Sequence, residues 1–237
     1  MFTGGIRLIS YVIPALNEED SIGRVIKRIR DIDKEGEIIV VDSDSTDRTA
    51  EIASSLGAKV VNESVRGYGR AYKKGFSSAS GDIIVTLDAD GTYPPEDVPK
   101  LLHYLGMGYD FINGERLKNA SREAMIPMHR IGNAVLNIFT KILFFVDIKD
   151  SQSGMWVFRR SIVDKIMPMG NGMEFSEEIK IRAATEFCYI DVPITYASRW
   201  GEKKLRPWKD GIRNLLFLLK LRIKGKIRTK HFKCSLS

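Results

Sequence analysis

Nowhere in this 237-residue chain does an uninterrupted apolar stretch reach the roughly 18 to 20 residues of a membrane-spanning helix, so no span is expected. The N-terminal MFTGGIRLIS has no charged region followed by an apolar one, which argues against a secretory leader. Cysteine is nearly absent. Cys188 and Cys234 stand far apart in unlike contexts, which argues against a disulfide framework and for a reducing compartment. There is no low-complexity segment and no repeat of roughly 20 to 50 residues, so solenoids and propellers drop out. The GxxxxGK[ST] of a P-loop, an aromatic-rich RNA-reading motif and a helix-turn-helix pattern are all missing. Acidic residues are scarce in one place only. From Arg199 to the end, 2 acids face 13 lysines and arginines, a net +11, whereas the rest of the chain has 28 acids and 24 bases. The basic character therefore belongs to the tail, which suits nucleic acid, anionic lipid or phosphate-bearing substrates if it is more than a solvated end.

Hydrophobic residues make up 43% of the sequence. That is enough core for one sizeable domain, in a chain too short for two full ones. Strands are expected at Leu8 to Ile13, Glu37 to Val41, Ala58 to Val61, Ile83 to Leu87 and Asp110 to Asn113, and a further one at Met155 to Arg159. Between them Ile22, Val25, Ile26 and Ile29 recur on one helical face. Further helices are expected over Arg48 to Leu56 with Thr46 or Asp47 as cap, over Arg70 to Ala79, from Pro95 onward, and over residues 175 to 184. This alternation predicts an α/β domain, a mostly parallel sheet with helices on both faces and additions at the C-terminus.

Ligands of such sheets bind at the carboxyl ends of the strands. Polar residues recur there: Asn17 and Glu18 after the first strand, Asp42 to Ser45 after the second, Asp88 and Asp90 after the fourth. Any one cluster could simply cap a helix, but three on successive units are harder to dismiss. Two carboxylates as close as Asp88 and Asp90 repel, and a divalent cation removes the conflict. Mg2+ or Mn2+ takes oxygen ligands and keeps positions for phosphate and water, so this D-x-D is a device for holding a diphosphate.

The segments VIPALNEEDSIG, VVDSDSTDRT, RGYGRAYKKGF, VTLDADGTYPPEDVPKLL, NGER and DSQSGMWVFRR follow the order and approximate spacing of family-2 glycosyltransferases. More narrowly, the chain resembles the dolichyl-phosphate (polyprenyl-phosphate) sugar synthases over roughly residues 6 to 205. The resemblance implies a GT-A-type nucleotide-diphospho-sugar transferase fold with C-terminal interface helices. It implies that Pro14, Asn17 and Glu18 form the first nucleotide-binding loop, that Asp42 contacts base or ribose, and that Asp88 and Asp90 hold the metal and diphosphate. Mannose-transferring relatives often place a metal-ligating Gln where this chain has Thr92, which leaves the third protein ligand open. Arg116 and Arg130 match arginines near the acceptor phosphate, Arg199 and Lys204 a basic loop that closes over the phosphates, and Asp150 an acid near the active site.

Family members invert at the anomeric carbon. A phosphate monoester, with its second pKa near 6, attacks without a general base. The site must instead relieve repulsion between two phosphate-bearing substrates, a task for the bidentate forks of Arg116, Arg130 and Arg199. Asp90, Arg116, Arg130 and Asp150 are accordingly the catalytic candidates. Gly67 and Gly69 either let backbone approach the nucleotide or make a flexible turn before a helix, and Glu174, Glu177 and Glu178 either cap a helix or face the sugar.

Two stretches look lipid-facing. In residues 131 to 146, Ile131, Val135, Ile138, Phe139, Ile142 and Phe145 or Val146 form a stripe, with Asn133, Asn137 and Lys141 away from it. Residues 212 to 224 are apolar but framed by Arg213, Lys220, Arg222 and Lys224. The expectation is a catalytic domain over 1–210 and a basic amphipathic segment over 211–237, peripheral at the cytoplasmic face of a membrane. Its partners would be a nucleoside diphosphate sugar (UDP-glucose or UDP-N-acetylglucosamine favoured over GDP-mannose) and dolichyl or polyprenyl phosphate, with no nucleic acid. The rivals are the same donor site serving a soluble acceptor, and a non-catalytic nucleic-acid-binding module built on the tail.

Overall fold

The computed structural model describes residues 8–118, 127–200, 207–225, 227 and 234, with backbone alone at 127, 129, 207–210 and 212. Seven strands form one sheet in the order β3-β2-β1-β4-β6-β5-β7. They are β1 (Ile9–Ala15), β2 (Glu37–Asp42), β3 (Lys59–Asn62), β4 (Ile83–Thr86), β5 (Phe111–Glu115), β6 (Trp156–Arg159) and β7 (Tyr189–Pro193). β1 to β4 are mutually parallel, β6 runs antiparallel to both β4 and β5, and β5 is parallel to β7. β6 is therefore the one reversed strand. The carboxyl ends of β1, β2, β4, β5 and β7 and the start of β6 share one edge of the sheet.

The strand sequences are apolar at consecutive positions because the sheet is covered on both faces, as expected of parallel strands between helices. Alternate residues go to opposite sides. Tyr11, Ile13, Ile38, Val40, Val85 and Val157 pack on one face under α1 (Ile22–Ile32) and α4 (Val98–Gly106). Val12, Ile39, Val41, Ile84, Trp156 and Phe158 pack on the other under α3 (Tyr68–Ser78) and α7 (Glu174–Glu186). The predicted stripe of Ile22, Val25, Ile26 and Ile29 is the buried face of α1. α2 (Thr49–Ser55) begins after Asp47, whose Oδ1 accepts the Thr49 N–H at 3.0 Å. A 3-10 turn at Pro95–Asp97 leads into α4, and α6 (Val163–Ile166) is a single turn.

α5 (Pro127–Phe144) and α8 (Pro207–Ile223) pack together over α7, burying Leu136, Phe144, Ile181, Leu218 and Leu221 as a third cluster. α8 runs across the boundary expected at residue 210. Among the described residues no helix is long and apolar enough to cross a membrane.

One expectation is corrected. Cys188, just before β7, and Cys234 form a disulfide with Cα atoms 5.0 Å apart. Their separation of 46 residues hides a proximity that only the fold shows: Ile227, past α8, is buried in the same cluster against which Tyr189 of β7 packs. The pairing removes the argument from free thiols for a reducing compartment.

Candidate active site

The polar residues gather on the sheet edge defined above. Asp88 and Asp90 follow β4. Thr92 donates its N–H and its hydroxyl to Asp90 Oδ1 at 2.9 and 2.6 Å, so it orients this carboxylate. Asp90 Oδ2 accepts an ion pair from Arg199 Nη2 at 2.7 Å, and Glu18 Oε1 lies 3.7 Å from the same nitrogen. Burial and then the neighbouring Asp90 charge push the Asp88 carboxyl up to about 7, against the pull of Arg199 and Arg116.

The 195–200 segment is pinned over this pair. The Trp200 N–H donates to Asp90 O at 2.9 Å, and Arg24 lies 4.3 Å above the Trp200 ring. Gly91, at φ +77°, leaves room for that ring.

A second polar cluster is built from β1 and β2. Pro14 and Ala15 pair in register with Val41 and Asp42, so the first loop emerges beside Asp42. Asn17, at φ 51°, donates its N–H to Ser45 Oγ and accepts the Thr46 N–H on its Oδ1. Glu18 donates its N–H to Thr49 Oγ1 at 2.7 Å. Asp42 Oδ2 accepts the Ser45 N–H, but Oδ1 is buried with no hydrogen-bond partner. A buried carboxylate oxygen without a donor is costly. A ribose hydroxyl or base N–H would supply that donor.

Arg116, just past β5, meets Asp150 fork to fork. Nε and Nη2 donate to Oδ2 and Oδ1, both at 2.8 Å, and the Arg116 N–H adds a bond of 3.0 Å. Arg116 and Asp150 are buried, and the arginine holds the carboxyl below its ordinary range despite burial. Asp150 thus has its oxygens filled by Arg116, and it orients the arginine. The Nη1 side of the guanidinium is outside this pair, with the Tyr196 ring 5.2 Å away. Arg130 stands half-buried in the first turns of α5. Lys204 lies outside the described residues.

Gly67 and Gly69 serve a close approach of protein to protein. The Gly69 N–H donates to Asn171 O at 3.0 Å, and a Cβ there would sit 2.8 Å from Phe175. Gly67 caps α3 and Gly69 lies in its first turn, so the helix starts earlier than Arg70 and both glycines pack against the 170–175 segment. Glu174 is the first residue of α7, and its Oε1 accepts the Asn171 and Gly172 N–H groups.

Sequence reasoning missed the floor of the site. Tyr93 accepts the Gly154 N–H at 2.7 Å, and a Cβ on Gly154 would lie 3.2 Å from Asp88 Oδ1, so the 150–154 turn touches both halves of the site. Beneath it Lys180 is fully buried, with Glu177 beside it accepting from Gln152 Nε2 at 2.6 Å. Withdrawal from water pulls Lys180 down to about 7 and pushes Glu177 up to about 8. No local pattern singles out Lys180, because charged residues at 174, 177, 178, 180 and 182 lie all round α7.

Residues 10–167 match the model of glycosyl transferase family 2. The chain belongs to glycosyl transferase family 2. It is similar to the low-salt glycan biosynthesis hexosyltransferase Agl6 of Haloferax volcanii, 38% identical over 89% of this chain, and spans about half (53%) of that relative's length. It is also similar to a dolichyl-phosphate hexose transferase of the same organism, 35% identical over 86% of this chain and 89% of the relative. Among solved structures, glucosyl-3-phosphoglycerate synthase from Mycobacterium tuberculosis, in complex with Mn2+, UDP-glucose and phosphoglyceric acid, superposes with a TM-score of 0.72 at 26% identity, covering 94% of this chain and 81% of that one. The family-2 chain therefore has the GT-A-type fold, a mostly parallel sheet flanked by helices.

The acidic pair of this family-2 protein fits a divalent cation. Asp88 and Asp90 are hard oxygen donors, they destabilise each other when both are ionised, and a guanidinium stands in as counter-charge. Among the described residues they belong to no group of three or more metal-ligating side chains, so phosphate oxygens and water would complete the shell.

Proposed function

We propose that the chain is an inverting, divalent-metal-dependent glycosyltransferase that moves a hexose from a UDP-sugar, UDP-glucose or UDP-N-acetylglucosamine in preference to GDP-mannose, to the phosphate of dolichol or another polyprenol. Asp42 and the loop of Pro14, Asn17 and Glu18 hold the nucleoside. Asp88 and Asp90 hold Mg2+ or Mn2+, which neutralises charge on the departing diphosphate. Arg116, oriented by Asp150, receives the acceptor phosphate on its Nη1 side, with Arg130, Arg199 and Lys204 as further neutralising groups. A phosphate oxygen attacks C1 from the face opposite the diphosphate. The new C1–O bond forms as the old one breaks, the electron pair leaves on UDP, and no general base is needed because the acceptor is already an anion.

The observation that carries the lipid acceptor is the inside-out character of α5. Its polar stripe faces the protein: Asn133 and Thr140 are buried, Asn137 Oδ1 accepts the Ser151 N–H at 3.0 Å, and Asn137 Nδ2 donates to Lys149 O. Its outward stripe is apolar, with Ile131, Ile138 and Ile142, and Phe145 just past its end, each more than half exposed, whereas Phe139 and Val146 of the expected stripe pack into the third cluster. α8 adds exposed Leu216 and Ile223 among Lys220, Arg222 and Lys224. Such a patch beside basic residues suits a membrane surface, and it is bonded to the turn that holds Arg116. The similarity to a dolichyl-phosphate hexose transferase supports the same acceptor class.

A second reading, a soluble phosphorylated acceptor, is favoured by the likeness to glucosyl-3-phosphoglycerate synthase. Transfer of labelled hexose from UDP-glucose, UDP-N-acetylglucosamine and GDP-mannose, with Mn2+, to short-chain polyprenyl phosphate or to 3-phosphoglycerate separates the two. Product is expected on the polyprenyl phosphate from a UDP-sugar. Product on 3-phosphoglycerate alone would remove the lipid reading.

Membrane association has its own test. The double variant Ile138→Asp, Ile142→Asp is expected to lose about 10-fold or more in co-sedimentation with vesicles containing anionic lipid, because two charges replace the inserted face. Transfer to a short, water-soluble polyprenyl phosphate should stay near the parent level. Undiminished vesicle binding would show that α5 is not the contact.

A further inference from the structure

Nothing in the reaction as described uses Lys180, yet it is fully buried beneath the site. Its side chain is fully buried on α7, and Nζ donates to Ser151 O and Ser153 O at 2.7 Å and to Ser176 Oγ at 2.8 Å. Three N–H groups meet three acceptors, the full complement of an ammonium. The Trp156 ring lies 5.2 Å away and closes the remaining side.

What these bonds hold is the turn between α5 and β6. Its other carbonyls are taken as well: Asn113 Nδ2 donates to Asp150 O at 3.0 Å and Thr86 Oγ1 to Gly154 O at 2.7 Å, while Trp156 Nε1 adds a second donor to Ser153 O at 2.8 Å. Gln152, in the middle of the turn, bridges Glu177 of α7 and Asn214 of α8, whose Nδ2 donates to Gln152 Oε1 at 3.1 Å. The turn begins with Asp150, which grips Arg116, and ends with Gly154, beside Asp88. A shift of the Ser151 and Ser153 carbonyls would therefore be transmitted to Asp150 and from there to the Arg116 fork.

We propose that Lys180 is a positioning residue for transfer, its ammonium clamping the 150–154 turn from below so that Asp150 presents Arg116 to the acceptor phosphate. The inference rests on the functional reading above, in that Arg116 is taken as the acceptor-phosphate group. It does not depend on whether that phosphate is carried by a lipid or by a soluble acid.

The test uses the full chain and whichever of short-chain polyprenyl phosphate and 3-phosphoglycerate the parent glycosylates. Lys180→Met keeps the length of the side chain and removes the donors. It is expected to lower kcat/KM for the acceptor by about 10²-fold, the scale of a small misplacement of a reacting group. UDP binding in the presence of Mn2+ should change less than about 2-fold, because Asp42 is fixed in β2 and Asp90 is held by Thr92 and Arg199, not by the turn.

Combining Lys180→Met with Arg116→Lys should cost little more than Arg116→Lys alone if both act through one guanidinium. Additive losses would overturn the proposal, as would parent-level transfer by Lys180→Met. A matched fall in nucleotide binding and in transfer would also overturn it by reducing Lys180 to a structural role. Ser176→Ala, which removes one acceptor of the same ammonium, gives a milder variant should Lys180→Met not fold. It is expected to raise the acceptor KM about 3-fold with nucleotide affinity unchanged, and an unchanged KM would count against the clamp.

Discussion

Replacing Asp88 and Asp90 together by asparagine is expected to lower transfer by about 10³-fold, roughly 4 kcal/mol of transition-state stabilisation. The amides keep the shape of the carboxylates but offer no negative charge to a cation. UDP should then raise the melting midpoint equally with and without Mn2+, because the metal-linked part of its binding is gone. The fold itself should survive, since the substitution removes two mutually repelling charges, one of them on a carboxyl already pushed up to about 7.

That raised value sets the sign of a pH effect in the parent protein. Folded Asp88 holds its proton through a window, from about 4 to about 7, in which the unfolded chain has lost it. In the absence of metal, stability contributed by that proton falls as pH rises through the window. A cation must displace the proton at pH 6 and meets a free carboxylate above 7. Mn2+ affinity should therefore climb with pH up to about 7 and then level, with protons released on binding. Titration calorimetry in two buffers of different ionisation enthalpy measures both, and a flat Mn2+ affinity between pH 5.5 and 7.5 would contradict the assignment.

Arg116→Lys is expected to cost about 10²-fold in transfer while preserving charge. A lysine ammonium is a point donor on a flexible stem. It cannot engage both oxygens of Asp150 and at the same time present a second face to phosphate as the planar guanidinium does. The loss should fall on the acceptor KM and kcat, with UDP–Mn2+ affinity retained. Asp150→Ala should behave differently. It leaves a buried guanidinium without its counter-charge, a change that typically costs about 3–5 kcal/mol of stability, so its melting midpoint should drop well below that of Arg116→Lys. Normal turnover by Arg116→Lys would detach this residue from the acceptor phosphate.

Much of this site can be read in one dimension. Apolar runs of strand length, each closed by polar residues, place Asn17, Asp42, Asp88 and Arg116 on one edge because parallel strands put all their carboxyl ends together. The spacing of Asp88 and Asp90 announces a cation because like charges two residues apart need one. The stripe on α5 was equally legible as a set of residues sharing a face.

What covers that face was not, since periodicity says which side chains lie together and nothing about which side meets the protein. Packing decided it, turning Asn133, Asn137 and Thr140 inward to meet the turn and leaving Ile131, Ile138 and Ile142 outside. β7 was missed because Tyr189 to Pro193 is a short strand only half-buried at the edge of the sheet. The pairing of Arg116 with Asp150, the clamp of Lys180 and the joining of Cys188 to Cys234 join residues 34, 27 and 46 positions apart. Sequence alone determined six of the seven strands, their ligand edge and the acidic pair, because those follow from local pattern and chain direction. Only the tertiary structure decided which charges neutralise which, because a buried charge takes its partner from whatever the fold brings within hydrogen-bond distance.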